Sequence, residues 1–224
     1  MKTRKLHEWN LSHEKARDLQ VRLAKRVWFT PIKSKPIMVG GLDCAFTKDE
    51  KKILAAVVVI KVPGFEVIET TTAIRKVNFP YIPGLLSFRE TPVCIDAIRK
   101  LKTIPDAFII DGQGYAHPRR FGIACHIGIL VNKPTVGCAK SRLIGSFDGP
   151  PWRKGRFSPL VDGDEVIGAV LRTRTDVKPV FVSVGHKCTL QDAIKIVLEC
   201  TTKYRLPEPT RLAHQLVGQA SRRL

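Results

Sequence analysis

Between residues 36 and 77 three apolar, β-branched-rich segments follow one another with almost nothing between them: "PIMVGGLDCAF" (36–46), "KILAAVVVIK" (52–61) and "FEVIETTTAIRKV" (65–77). The connections "TKDEK" and "VPG" are too short for a crossover helix, so each strand has to turn back on the one before it. An antiparallel three-strand meander is the starting point of any fold for this chain. The rhythm then changes. Cys94, Ala97, Ile98 and Leu101 repeat at helical spacing, "DAFIIDG" (106–112) is a short apolar strand, a helix is expected from about 121 to 131, and "PTVGCAK" (134–140) is another strand. Strands that alternate with helices pair in parallel.

The remaining elements fit around this frame. Ser12 is a plausible N-cap for a helix over 12–28 whose buried face is Ala16, Leu19, Leu23, Ala24 and Val27. Thr91-Pro92 is expected to open the helix after the meander. A hairpin is expected around "DGDE" (162–165), with strands "EVIGAVLRTR" and "KPVFVSVG", and two helices close the chain at about 189–204 and 209–223. The expectation is one α/β domain over residues 1–224. Its mixed sheet is the antiparallel meander extended by parallel strands, with helices on both faces.

Composition narrows the function. No apolar run reaches eighteen residues and the first thirty are charged throughout, so neither a membrane span nor a signal peptide is expected. The six cysteines form no C-x-x-C pair and no metal-ligand spacing; they read as buried thiols of a reducing, cytoplasmic compartment, and zinc is not expected. The 38 Lys and Arg against 20 Asp and Glu give a net charge of +18, concentrated in residues 1–35, "RKLK" (99–102), "WRKGRF" (152–157) and the C-terminus. A phosphate-rich partner accounts for that excess, as does a merely basic protein.

Three carboxylates stand where solvent does not explain them. Asp43 interrupts the strand "VGGLDCAF", Asp111 ends the strand "AFIID", and Glu90 ends the apolar run of "FPYIPGLLSFRE" (79–90). A buried carboxylate is costly unless paired or bound to a cation. An arginine partner explains any one of them; one shared cation explains all three. Oxygen ligands select Mg²⁺ or Mn²⁺, and such an ion beside a phosphate-binding surface points to phosphodiester hydrolysis. Lys140, at the end of "TVGCAK", fits an ammonium that faces a phosphate or positions attacking water, though a lysine that merely ends a strand is common. His214, in "PEPTRLAHQL", read alone fits a satisfied core histidine better than a ligand.

The blocks "GLDCAF", "FPYIPGLLSFRE", "DGQGYAHPRRFGIACHIG" and "VGCAKSRLIG", with "PEPTRLAH" near the end, resemble the endonuclease V family in order and over nearly the whole chain. The resemblance implies an RNase H-like fold and cleavage of deoxyinosine-containing DNA at the second phosphodiester 3′ to the deaminated adenine, leaving 3′-hydroxyl and 5′-phosphate. It implies that Asp43 and Asp111 hold catalytic Mg²⁺, with Mn²⁺ expected to substitute. Glu90 joins or supports that site, Lys140 contacts the reacting phosphate, and His214 lies close to the metal. Tyr81 becomes the wedge that fills the gap left by an extruded base, stiffened by Pro80 and Pro83. Backbone groups around Gly84, Leu86, Gly122 and Ile123 read hypoxanthine, with His117 nearby. The alternatives are an inosine-specific endoribonuclease and a non-catalytic nucleic-acid binder; the latter would be expected to have lost at least one of the three carboxylates. No obligate protein partner is expected.

Overall fold

The computed structural model describes residues 1–222. The chain opens with helix α1 (His13–Ala24), followed by the meander β1 (Met38–Phe46), β2 (Lys52–Lys61) and β3 (Glu66–Lys76). Helix α2 (Leu86–Lys100), β4 (Ala107–Ile110), α3 (Ile123–Val131) and β5 (Thr135–Ala139) come next. Then follow β6 (Phe157–Asp162), β7 (Glu165–Leu171), β8 (Val180–His186), α4 (Leu190–Glu199) and α5 (Glu208–Arg222). Eight strands form one sheet in the order β3-β2-β1-β4-β5-β8-β7-β6. This is the mixed α/β sheet of RNase H-like proteins.

The meander is antiparallel, and β4 and β5 extend it in parallel. The far half is antiparallel again: β5 pairs with β8, β8 with β7 and β7 with β6. The tight turn at 162–165 imposes this, because it joins β7 to β6, a strand the periodicity did not single out. Apolar side chains leave the sheet on both faces. Val39, Ala107 and Ile109 pack with α4 and α5 residues such as Ile196, Ala213 and Val217. Leu42, Phe108 and Ile110 pack with α2 and α3 through Val93, Ile98 and Ile127. Strand β2, covered on both sides, buries every residue except its two ends.

Three helix boundaries differ from expectation. Helix α1 ends at Ala24, so Val27, though buried, packs from the loop beyond it. Helix α2 starts at Leu86, so Thr91-Pro92 is not its cap and Pro92 sits inside it. The buried face already runs through Ser87, Phe88 and Thr91, and its packing outweighs the hydrogen bond that proline forfeits. Helix α4 ends at Glu199, while Ser12 does cap α1 by accepting from the Lys15 N–H at 3.3 Å. The last residue of the expected 209–223 helix, Arg223, lies outside the described residues. No helix of the described residues is long and apolar enough to cross a membrane.

Candidate active site

Strands β1 and β4 run side by side in parallel, with Leu42 opposite Ile110. The next residue on each is an aspartate, so register alone makes Asp43 and Asp111 neighbours. The Asp111 N–H continues the ladder to the Leu42 carbonyl at 3.0 Å. Helix α5 comes in directly over β1: a Cβ on Gly41 would stand 2.0 Å from the Pro209 backbone, so only glycine permits this approach. That packing brings His214 to Asp43, and its Nδ1 lies 2.6 Å from Asp43 Oδ2. Since the carboxylate accepts, Nδ1 carries the proton and Nε2 stays free. His214 is exposed rather than a core residue. From the end of β5, Lys140 ion-pairs with Asp111.

The electrostatics of this cluster are strained towards protonation. Burial and the nearby Asp111 charge raise the Asp43 pKa, against the His214 hydrogen bond, Lys140 and the Cys44 N–H. Glu90, one turn into α2, is pushed up to about 8 by burial first and by Asp43 and Asp111 second, with Arg89 opposing. A cation would relieve both effects. Asp43, Asp111 and His214 each offer a ligand atom, all within 4.8 Å of one another. Two crowded, half-desolvated carboxylates with an imidazole beside them form a candidate metal site.

Beside the carboxylates a cavity of about 340 Å³ runs from Tyr81 to Leu143. Its walls include Pro83, Gly84, Leu86, His117, Gly122 and Ile123, and it reaches Asp111 and Lys140. Tyr81, 66% exposed at its mouth, is no core tyrosine. Two helices begin here without side-chain caps, α2 after Leu85 and α3 after Gly122. The N–H groups of Leu86, Ser87 and Ile123 find no backbone or side-chain partner among the described residues. The cavity is therefore rich in hydrogen-bond donors and sits at the positive ends of two helices.

Gly84 has φ +77 and its missing Cβ would meet the Arg119 guanidinium at 2.7 Å. Its carbonyl is already committed, accepting from Gln20 Nε2 (3.1 Å), His117 Nε2 (3.0 Å) and Arg119 (2.7 Å). Glycine is needed here for the turn and for the arginine. The Arg119 N–H donates to His117 Nδ1 at 3.1 Å, which leaves the imidazole proton on Nε2. Burial, and then Arg119, lower the His117 pKa to about 4, so the ring is a neutral donor.

Sequence reasoning missed Gln20. It is fully buried on α1 and bridges two parts of the cavity wall, donating to Gly84 and Phe121 (2.7 Å) and accepting from Arg119 Nε (2.5 Å). A glutamine between Ala16 and Leu23 on the buried face of α1 was the available signal. Ser87, Gln113 and the 141–143 loop also line the cavity.

A family model for endonuclease V matches residues 21–215. Endonuclease V of Trichormus variabilis is 50% identical over 213 residues, covering 95% of this chain and 96% of the relative. This chain belongs to the endonuclease V family. Members of the family are nucleases that hydrolyse phosphodiester bonds. The endonuclease V structure from Streptomyces avermitilis aligns at 40% identity and a TM-score of 0.92, covering 100% of this chain and 99% of that one. The Ciona intestinalis endonuclease V bound to a 24-mer DNA containing an inosine followed by a ribo-adenosine aligns at 29% identity and TM-score 0.83, covering 92% and 96%.

Proposed function

We propose that this endonuclease V is a Mg²⁺-dependent enzyme that admits a deaminated adenine of DNA to the donor-lined cavity and cuts the second phosphodiester 3′ to it. The observation that carries the reading is the adjacency of the two sites: the cavity wall ends on Asp111 and Lys140, which belong to the carboxylate cluster. The Ciona relative's inosine-containing DNA supports the substrate class.

Asp43 and Asp111 would hold the ion, Glu90 would support it from α2, and His214 Nδ1–H keeps Asp43 oriented. A bound Mg²⁺ supplies positive charge against the phosphate oxygens and acidity for an attacking water. Lys140, exposed and now paired with Asp111, is within reach of a phosphate laid across the strand ends. Selectivity follows from donor polarity. Hypoxanthine presents its O6 acceptor to the free N–H groups of Leu86, Ser87 and Ile123, whereas adenine would present an amino donor to them. Tyr81, held between Pro80 and Pro83, fills the gap the base leaves.

An end-labelled duplex with one inosine, incubated with and without Mg²⁺ and mapped to the nucleotide, tests the reading. A Mg²⁺-requiring nick at the second bond 3′ to inosine is expected. Cutting at adenine controls to the same extent, or cutting unaffected by chelation, overturns it. A matched RNA strand carrying inosine separates the ribonuclease alternative.

A further inference from the structure

We propose that the face of the active centre on the α5 side carries a second nucleic-acid subsite, a stacking platform for the cut strand beyond its scissile phosphate. The direction rests on the reading above. The cavity opens on the α2/α3 face of the sheet, Asp111 stands at the end of β4 beside Asp43 on β1, and His214 stands on the opposite face. A strand whose base enters the cavity and whose backbone crosses the aspartates must continue past His214.

Three loops meet there: 147–156, 172–179 and 201–207. Hydrogen bonds join them into one surface. Lys154 Nζ donates to the Thr201 carbonyl (3.2 Å), the Gly155 N–H to Arg172 (2.8 Å), and Thr173 Oγ1 to Arg205 (2.6 Å). Arg205 in turn donates to the Lys140 carbonyl at 2.6 Å, tying the surface to the catalytic lysine's own backbone. The loops hold eight Lys and Arg against two Asp, and none of the eight forms an ion pair among the described residues. Spare positive charge of this kind on a stitched surface fits a phosphate backbone.

Two aromatic rings stand in this charge. Trp152 is 55% and Tyr204 41% exposed. The Arg153 guanidinium lies 5.1 Å from the Trp152 ring centroid and Lys203 Nζ 5.3 Å from that of Tyr204, which also meets Arg211, itself paired with Glu208, at 4.3 Å. Rings framed by cations are what unpaired strands stack on. Neither ring is needed by the core, which explains "WRKGRF" better than packing does.

The test is fluorescence anisotropy without Mg²⁺, using inosine strands whose 3′ arm is short or extended by about twelve nucleotides, and a matched pair varying the 5′ arm. Longer 3′ arms are expected to bind tighter, and the long-to-short affinity ratio is expected to fall at least about fivefold in Trp152→Ala and Tyr204→Ala. The 5′ ratio is expected to hold. Both side chains are exposed, and matching melting temperatures verify folding. An unchanged 3′ ratio, an equal fall in the 5′ ratio, or displacement of the 3′ arm by polyglutamate as readily as by DNA overturns the platform. Failure to nick inosine DNA in Mg²⁺ would refute the substrate reading alone, since the arm ratios are read from binding.

Discussion

The carboxylate cluster brings together side chains from strands and helices, Asp43 on β1, Asp111 just past β4, Glu90 on α2 and His214 on α5; the cavity beside it exposes backbone N–H groups at two helix starts. The cluster concentrates charge that the fold holds at a cost, visible in the raised pKa values of Asp43 and Glu90. The cavity is charged only at the end that meets Asp111, Lys140 and Arg142, and is otherwise shaped by a proline-bordered loop, a positive-φ glycine and a buried glutamine. The proposed function thus assigns chemistry and recognition to separate parts, and substitutions should separate them.

The largest effect should come from removing a metal-facing carboxylate. Asp43→Ala or Asp111→Ala should lower cleavage by at least about a thousandfold while inosine-duplex affinity stays within a few-fold, since backbone contacts elsewhere carry binding. Nicking assays beside filter binding measure both. Near-normal nicking would dissolve the cluster as a metal centre.

Glu90 sharpens the electrostatic half of the comparison. In the fold it keeps its proton up to about pH 8, against an ordinary 4.5. Its contribution to stability is therefore fully present below about 4.5 and lost as pH rises towards 8. Glu90→Gln cannot ionise, so in metal-free buffer its melting temperature should gain on the parent's across that window. The corresponding difference in unfolding free energy should reach on the order of a few kcal/mol by pH 8. A gap that does not change with pH would mean that neither burial nor Asp43 and Asp111 holds the proton on Glu90.

Gln20 probes the recognition half. Gln20→Leu leaves the Phe121 carbonyl and Arg119 Nε without their partner, which costs about 1–3 kcal/mol of stability. The inosine-to-adenine binding ratio should fall with it, while the position of the cut is kept. A loss of stability with the ratio untouched would make Gln20 a core residue and nothing more.

How much of this could be read in the chain follows the same division. Asp43, Asp111 and Glu90 were visible because a carboxylate inside or at the end of an apolar run is expensive, and the short meander turns dictated the sheet around them. Strand β6 was missed because its inward residues, Ser158 and Leu160, are interleaved with exposed Phe157 and Pro159, which blurs the alternation. Helix α2 was started too late because a proline outweighed a buried face that begins five residues earlier. The free N–H groups of Leu86, Ser87 and Ile123 belong to the backbone and leave no residue signature, so only the quoted family likeness pointed near them. His214 read as a core residue because its helix is amphipathic; its exposure depends on how α5 crosses Gly41.

The separation of the two halves is tested most directly by measuring cleavage rate, cut position and inosine-to-adenine binding ratio together on Asp43→Ala, Tyr81→Ala and Tyr81→Phe. Asp43→Ala should lose cleavage and keep the ratio. Tyr81→Ala should lose about 1–3 kcal/mol of the inosine preference yet still cut at the same bond, and Tyr81→Phe should resemble the parent, because the wedge needs the ring and not the hydroxyl. If Asp43→Ala loses the ratio, or Tyr81→Ala keeps it intact, chemistry and recognition are not built apart in this protein.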